Sequence, residues 1–176
     1  MRFTYDLGDG FRLALRTLET VEEMHALTLA NVERLRQWEP WARGEQTLES
    51  TTAFTRAQLS DFVAGSVVPT VILSGDAIVG SASLRMNSYA QTAELGYWID
   101  AAAEGRGAVT RACAALLTEV PQRGIRRVEI RTAVENVRSW RVAERLGFTR
   151  EGVLASALPI GGERLDVAVY GRTFPG

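Results

Sequence analysis

Two stretches of this 176-residue chain combine residue types and spacing that can do chemistry. The first, DAAAEGRGAVTRACAALL over residues 100–117, is a glycine-punctuated loop running into a helical pattern. Such a loop is an anion site in waiting, because the first N–H groups of a helix are unpaired and the helix dipole favours negative charge there. Gly105 and Gly107 let phosphate oxygens approach the main chain, since no Cβ intervenes. Arg106 adds a cation between them, and Ala108, Val109 and Thr110 open the helix, Thr110 with a hydroxyl. Taken alone, the loop reads equally well as a plain tight turn. Glu104 runs against an anion.

The absences narrow the chemistry. All 20 basic residues are arginine, which removes a Walker lysine, a pyridoxal Schiff base and a lysine base. A dinucleotide fingerprint also fits poorly, because Thr110 stands where the third glycine belongs and four strands precede the loop. One cysteine, Cys113, and one histidine, His25, allow neither an internal disulfide nor a cysteine/histidine metal site. Cys113 falls on the apolar side of its helix with Val109, Ala112, Leu116, Leu117 and Val120, so it reads as a core thiol rather than a nucleophile. His25 sits midway along an amphipathic helix and reads as structural. The net charge of −1 argues against nucleic acid and membrane surfaces as partners. No apolar run reaches spanning length and the start carries no signal-peptide core, so the cytoplasm is the expected location.

The second stretch is ENVRSWRVAERLGF, residues 135–148. Asn136 is a good N-cap, Ser139 lies three residues further on, and Gly147 closes the helix. Ser139 shares a helical side with Val142, Ala143 and Leu146, which turns its hydroxyl toward the interior.

Both stretches need a scaffold. A strand is expected over 11–18, helices from Thr20 and over 48–62, and a hairpin turning at Gly75-Asp76. A strand over 93–100 leads into the glycine loop, and one over 126–132 leads into the Asn136 helix. Two more strands turn at Gly161-Gly162. The order β-α-α-β-β-β-α-β-α-β-β implies one α/β domain over 1–176, with a mixed sheet of about seven strands and helices on both faces.

The motif N-x-x-S-x-x-V-x-x-R-x-G-F, carried by Asn136, Ser139, Val142, Arg145, Gly147 and Phe148, joins with ELGYWIDAAAEGRGAVT and ANVERLRQWEPWA to resemble the GNAT acetyltransferases. The likeness is to their RimJ/RimL-like protein N-acetyltransferase branch. It implies the GNAT fold, mostly antiparallel, with a splayed parallel strand pair at 93–100 and 126–132. It also implies acetyl transfer from acetyl-CoA to an amine without a metal. Under it the backbone of Trp98, Ile99 and Asp100 faces pantetheine, the turn from Gly105 to Thr110 holds the pyrophosphate, and Asn136 contacts CoA, caps its helix, or does both. The site is then main chain, which needs no lysine. Ser139 is implied on the side of the departing thiolate, with first-turn structure as the competing role.

Glu94, opposite in phase to Leu95, Tyr97 and Ile99, is the candidate catalytic base facing the acceptor amine, or else a solvated or structurally paired strand glutamate. Trp38 and Trp41 either border the acceptor groove or pack beneath a loop. Trp140 reads as packing or a dimer contact. Leu158 departs from the acid that some relatives carry there, and Ala155 from the arginine they often have, so the resemblance supplies neither a base nor an acceptor from that strand. The acceptor is expected to be a protein N-terminal α-amine. A small amine (polyamine, amino acid or aminoglycoside), a non-catalytic acyl-CoA sensor and a homodimer remain open.

Overall fold

In the computed structural model, which describes residues 4–175, one sheet carries the whole chain. Its strands are β1 (Thr4–Gly8), β2 (Phe11–Leu15), β3 (Val67–Ser74), β4 (Ala77–Asn87), β5 (Thr92–Ile99), β6 (Arg127–Ala133), β7 (Thr149–Ile160) and β8 (Glu163–Thr173). The helices are α1 (Val21–Leu35), α2 (Leu48–Val63), α3 (Ala108–Thr118) and α4 (Val137–Arg145). The spatial order is β1-β2-β3-β4-β5-β6-β8-β7, and every pairing is antiparallel except β5 with β6.

Eight strands form where the sequence leads one to expect about seven. The extra one is β1, which pairs Tyr5 with Leu13 and turns through Gly8, Asp9 and Gly10, all at positive φ. Its five residues bury only Leu7, too few positions for alternation to show.

Strand periodicity divides the apolar residues between two layers. Phe11, Leu13, Val68, Ile72, Leu84 and Leu95 face α3 and α4, whose Ala112, Cys113, Leu116 and Ala143 complete the main core. Met24 of α1 meets Val71 and Ile78 on the opposite side, with Leu27 and Trp98 packed against them. Since β3 is covered on both faces, its first six residues are all buried. Leu116 is fully buried; truncating such a leucine to alanine costs about 2–5 kcal/mol.

The functional consequence of this arrangement lies between β5 and β6. They pair only at Thr92–Arg127, Ala93–Val128 and Glu94–Glu129, after which β5 continues to Ile99 and β6 to Ala133 without pairing. The wedge so opened is bounded by the N-termini of α3 and α4, each of which directly follows one of the two splayed strands.

Candidate active site

A cleft of about 1500 Å³ runs through this wedge. A pocket for one drug-sized molecule is roughly 300–1,000 Å³, so there is room here for two reactants meeting. Its floor is the free edge of β5. Asp100 donates its N–H to the Val79 carbonyl at 2.7 Å, so the two-residue period of the strand turns the polar main-chain groups of Trp98 and Gly96 toward β4 as well. Those of Tyr97 and Ile99 point across the splay. This corrects the expectation for two residues. Trp98 borders the cleft but turns its N–H toward Ser81 of β4, and Asp100 is committed to Val79 through its backbone N–H and to Asn31 Nδ2 at 3.0 Å through its carboxylate. Ile99 and Tyr97 are the residues of this stretch whose main-chain groups stay on the open side of β5.

The glycine loop closes one end. Gly105 and Gly107 both stand at φ +75°, and a Cβ on either would meet nothing within 4 Å. The requirement for glycine is therefore torsional, and the space beside it is open. Gly107 is the N-cap of α3. The first intrahelical bond is made by Arg111 N–H to Gly107 O at 3.1 Å, which leaves the N–H groups of Ala108, Val109 and Thr110 available at the cleft wall. Arg106 departs from the expectation: its guanidinium stacks on Phe11, 4.5 Å from the ring centroid, and it does not line the cleft. The exposed cations that do line it are Arg131 of β6 and Arg138, Arg141 and Arg145 of α4.

Glu104, puzzling in a phosphate turn, is accounted for by its partners. Its carboxylate pairs with Arg34 of α1 and Arg138 of α4. Arg34 also reaches Asn31 Oδ1 at 2.8 Å and Ile99 O at 3.4 Å, so this one acid ties the loop to helices on both faces of the sheet. Sequence spacing could not reveal it, because the partners lie 70 and 34 positions away.

At the centre of the cleft, Asn136 caps α4 by accepting the Ser139 N–H at 3.3 Å. Ser139 Oγ donates to Tyr97 Oη at 3.3 Å, and Tyr97 Oη donates to Ser139 O at 2.8 Å. Burial pushes the Tyr97 phenol well above its ordinary pKa, so it stays protonated and acts as a fixed donor. The sequence placed Tyr97 in phase with Leu95 and Ile99; what it did not show was the hydroxyl meeting Ser139. Cys113 is fully buried, and burial raises its thiol far above neutrality, in keeping with a core residue. His25 lies 3.4 Å from Thr51 Oγ1 between α1 and α2, away from the cleft. Trp140 packs against the main core.

The far end is walled by Trp38, Glu39 and Pro40 on one side and by Leu154, Ala157 and Leu158 of β7 on the other. Trp38 therefore borders the cleft, whereas Trp41 is half exposed and turns its Nε1 to Glu39 Oε2 at 2.9 Å. Glu94 is exposed at the last paired position of the splay and touches the cleft there.

A parallel strand pair that parts over a main-chain anion loop and a capped second helix is the architecture of acyl-CoA-dependent transferases. The acetyltransferase (GNAT) domain family matches residues 12–149, and the chain belongs to that family. It is 31% identical to the ribosomal-protein-serine acetyltransferase of Escherichia coli (strain K12), over 98% of this chain and 97% of that protein. Among solved structures it resembles RimL, a ribosomal L7/L12 alpha-N-protein acetyltransferase in complex with coenzyme A, with TM-score 0.92 and 27% identity over 97% of both chains. It also resembles the microcin C7 self-immunity acetyltransferase MccE in complex with acetyl-CoA and AMP, with TM-score 0.89 and 27% identity over 96% of this chain and 94% of that one. The protein is an acetyl-CoA-dependent N-acetyltransferase with the GNAT fold. No helix among the described residues is long and apolar enough to cross a membrane.

Proposed function

We propose that this enzyme acetylates the N-terminal α-amine of a protein. The observation that carries the reading is the through-running cleft, with a main-chain anion site at one end and an open groove between Trp38–Pro40 and β7 at the other. Such a groove takes an extended chain end. The relatives named as ribosomal-protein acetyltransferases support the same acceptor class.

Acetyl-CoA, as co-substrate, brings the activated thioester; the remaining work belongs to this chain. The N–H groups of Ala108, Val109 and Thr110, with Gly105 and Gly107 giving access, hold the pyrophosphate, and Arg138, Arg141 and Arg145 add charge. The free edge at Tyr97 and Ile99 pairs with pantetheine as an added strand would. A main-chain N–H on that edge stabilises charge developing on the carbonyl oxygen, worth about 3–4 kcal/mol for a well-placed donor. Ser139, oriented by Tyr97 and by the Asn136 cap, serves the sulfur side, where it hydrogen bonds the departing thiolate. Glu94 adds negative charge on the acceptor side. The reading includes a single domain over 1–176, a cytoplasmic location where acetyl-CoA and ribosomal proteins meet, and a homodimer, which sedimentation checks.

The likeness to MccE, whose structure holds AMP together with acetyl-CoA, supports a second reading, a small-molecule amine acceptor in the same groove. Free-thiol release from acetyl-CoA, measured over a panel of N-terminal peptides and small amines, separates them. Release with peptides alone supports the proposal; release with small amines alone replaces it.

A further inference from the structure

The acceptor end contains a carboxylate that the sequence did not single out. Glu39 follows α1 and begins the 3-10 turn Pro40–Arg43. Asn31 Nδ2 to Asp100 Oδ1 at 3.0 Å and Arg34 to Ile99 O at 3.4 Å fasten α1 to the end of β5. The chain leaving that helix is thereby laid along the splay, and Glu39 lines the same cleft as Ser139. Beyond it, the Arg43 guanidinium packs so closely on Gly161 of the β7–β8 turn that a Cβ there would collide with it. That contact joins the loop to the opposite wall. Across the cleft, Leu154, Ala157 and Leu158 provide no acid.

The carboxylate has one partner among the described residues, the Trp41 Nε1 donor on Oε2 at 2.9 Å. Oε1 has none, and is left for a donor entering the cleft. The neighbouring charges are engaged elsewhere. Arg34 pairs with Glu104, Arg36 with Glu33 and Ala42 O, and Arg43 with Arg36 O. Arg131 pairs with Glu129, and Arg164 with Ser156 O. Glu94 at the base of the splay and Glu163 at the β7–β8 turn add only negative charge.

We infer that Glu39 is the catalytic base for the acceptor amine and that Trp41 is its positioning residue. The inference rests on acetyl transfer to an amine, not on which amine. An acceptor ammonium gives one proton to the Glu39 carboxylate and becomes a nucleophile. Its nitrogen then forms the C–N bond as the C–S bond breaks. The second nitrogen proton goes to the departing sulfur by way of water and Ser139, and Glu39 returns its proton to solvent. One ammonium and one thioester thus give one amide, one thiol and one proton. Burial holds the carboxyl above its ordinary pKa, the Trp41 bond opposing the rise, which brings it closer to an α-ammonium and makes it a better base.

The test compares wild type, Glu39→Gln and Glu94→Gln. With whichever acceptor the wild type uses, Glu39→Gln is expected to lower kcat by about 10²-fold or more, abolish the acid limb of kcat/KM and leave the KM for acetyl-CoA unchanged. Loss of that limb in Glu94→Gln but not in Glu39→Gln overturns the assignment. Activity confined to small amines refutes the peptide reading and still leaves the limb to decide on Glu39. A second readout needs no acetyl-CoA. A carboxyl raised on folding binds its proton more tightly when folded, so stability falls as pH rises from the ordinary glutamate value through the raised one. The melting temperature of Glu39→Gln should therefore gain on wild type across that window, and a difference flat with pH overturns the proposal. A pH-dependent difference with unchanged kinetics overturns it too, because Glu39 is then only a partly desolvated loop carboxylate.

Discussion

Gly107→Ala puts the main-chain phosphate cradle to a quantitative test. Gly107 caps α3 at φ +75°, with nothing within 4 Å of an added Cβ. The substitution therefore costs torsional energy without a clash, about 1–2 kcal/mol for an L-residue in the left-handed region. In a domain of this size each kcal/mol moves the melting temperature by about 2–4 °C, so a fall of roughly 2–8 °C is expected. Gly124 provides the control. It also sits in the left-handed region, at φ +69° with open space, but ends a turn remote from the cleft. Gly124→Ala should lose similar stability and keep acetyl-CoA affinity.

Gly107→Ala should lose affinity as well. Either its methyl occupies the open space beside the loop, or the backbone relaxes and turns an N–H away from the phosphates. One charge-assisted hydrogen bond is worth about 1.5–3 kcal/mol, which corresponds to roughly 10- to 150-fold in Kd. Scanning calorimetry and isothermal titration of acetyl-CoA read the two quantities separately. Matching stability losses in both variants, with wild-type affinity in Gly107→Ala, would refute the cradle.

Other consequences are simpler to state. Ser139→Ala should slow turnover while acetyl-CoA binding stays within a few-fold of wild type; unchanged turnover would reduce Ser139 to a first-turn residue. Tyr97→Phe removes the donor to Ser139 O and should cost about 0.5–1.5 kcal/mol of stability with a fall in kcat rather than in acetyl-CoA affinity. Acetyl-CoA should raise the melting temperature where ATP and NAD do not, and an equal response to all three would contradict the assignment of the loop.

Residues whose roles depend on local pattern were legible in the sequence. The cap at Asn136, the paired glycines before α3, the buried face around Cys113 and the hairpin at Gly75-Asp76 each follow from spacing within one element. Where Tyr97 and Glu104 are concerned, the sequence showed the position and not the partner, since a hydroxyl in phase with Leu95 and an acid in an anion loop become intelligible only through residues on other elements. Trp98 and Asp100 show a different limit. Which alternate N–H groups of β5 face outward is set by its register with β4, and strand periodicity alone leaves that phase free. Arg106 was drawn away by the aromatic face of Phe11, on a strand far earlier in the chain. Glu39 was hidden because its neighbours Trp38 and Trp41 carried the signal for a groove, and local spacing does not mark the acid between them as facing the cleft.

Acceptor chemistry is the most direct point of attack on the whole account. A peptide bearing both a free α-amine and an internal lysine, incubated with acetyl-CoA and wild-type enzyme, can be mapped by tandem mass spectrometry. Acetylation of the α-amine alone, lost when that amine is blocked beforehand, is the predicted result. Acetylation of the lysine, or none while a small amine in the same tube is consumed, would contradict it.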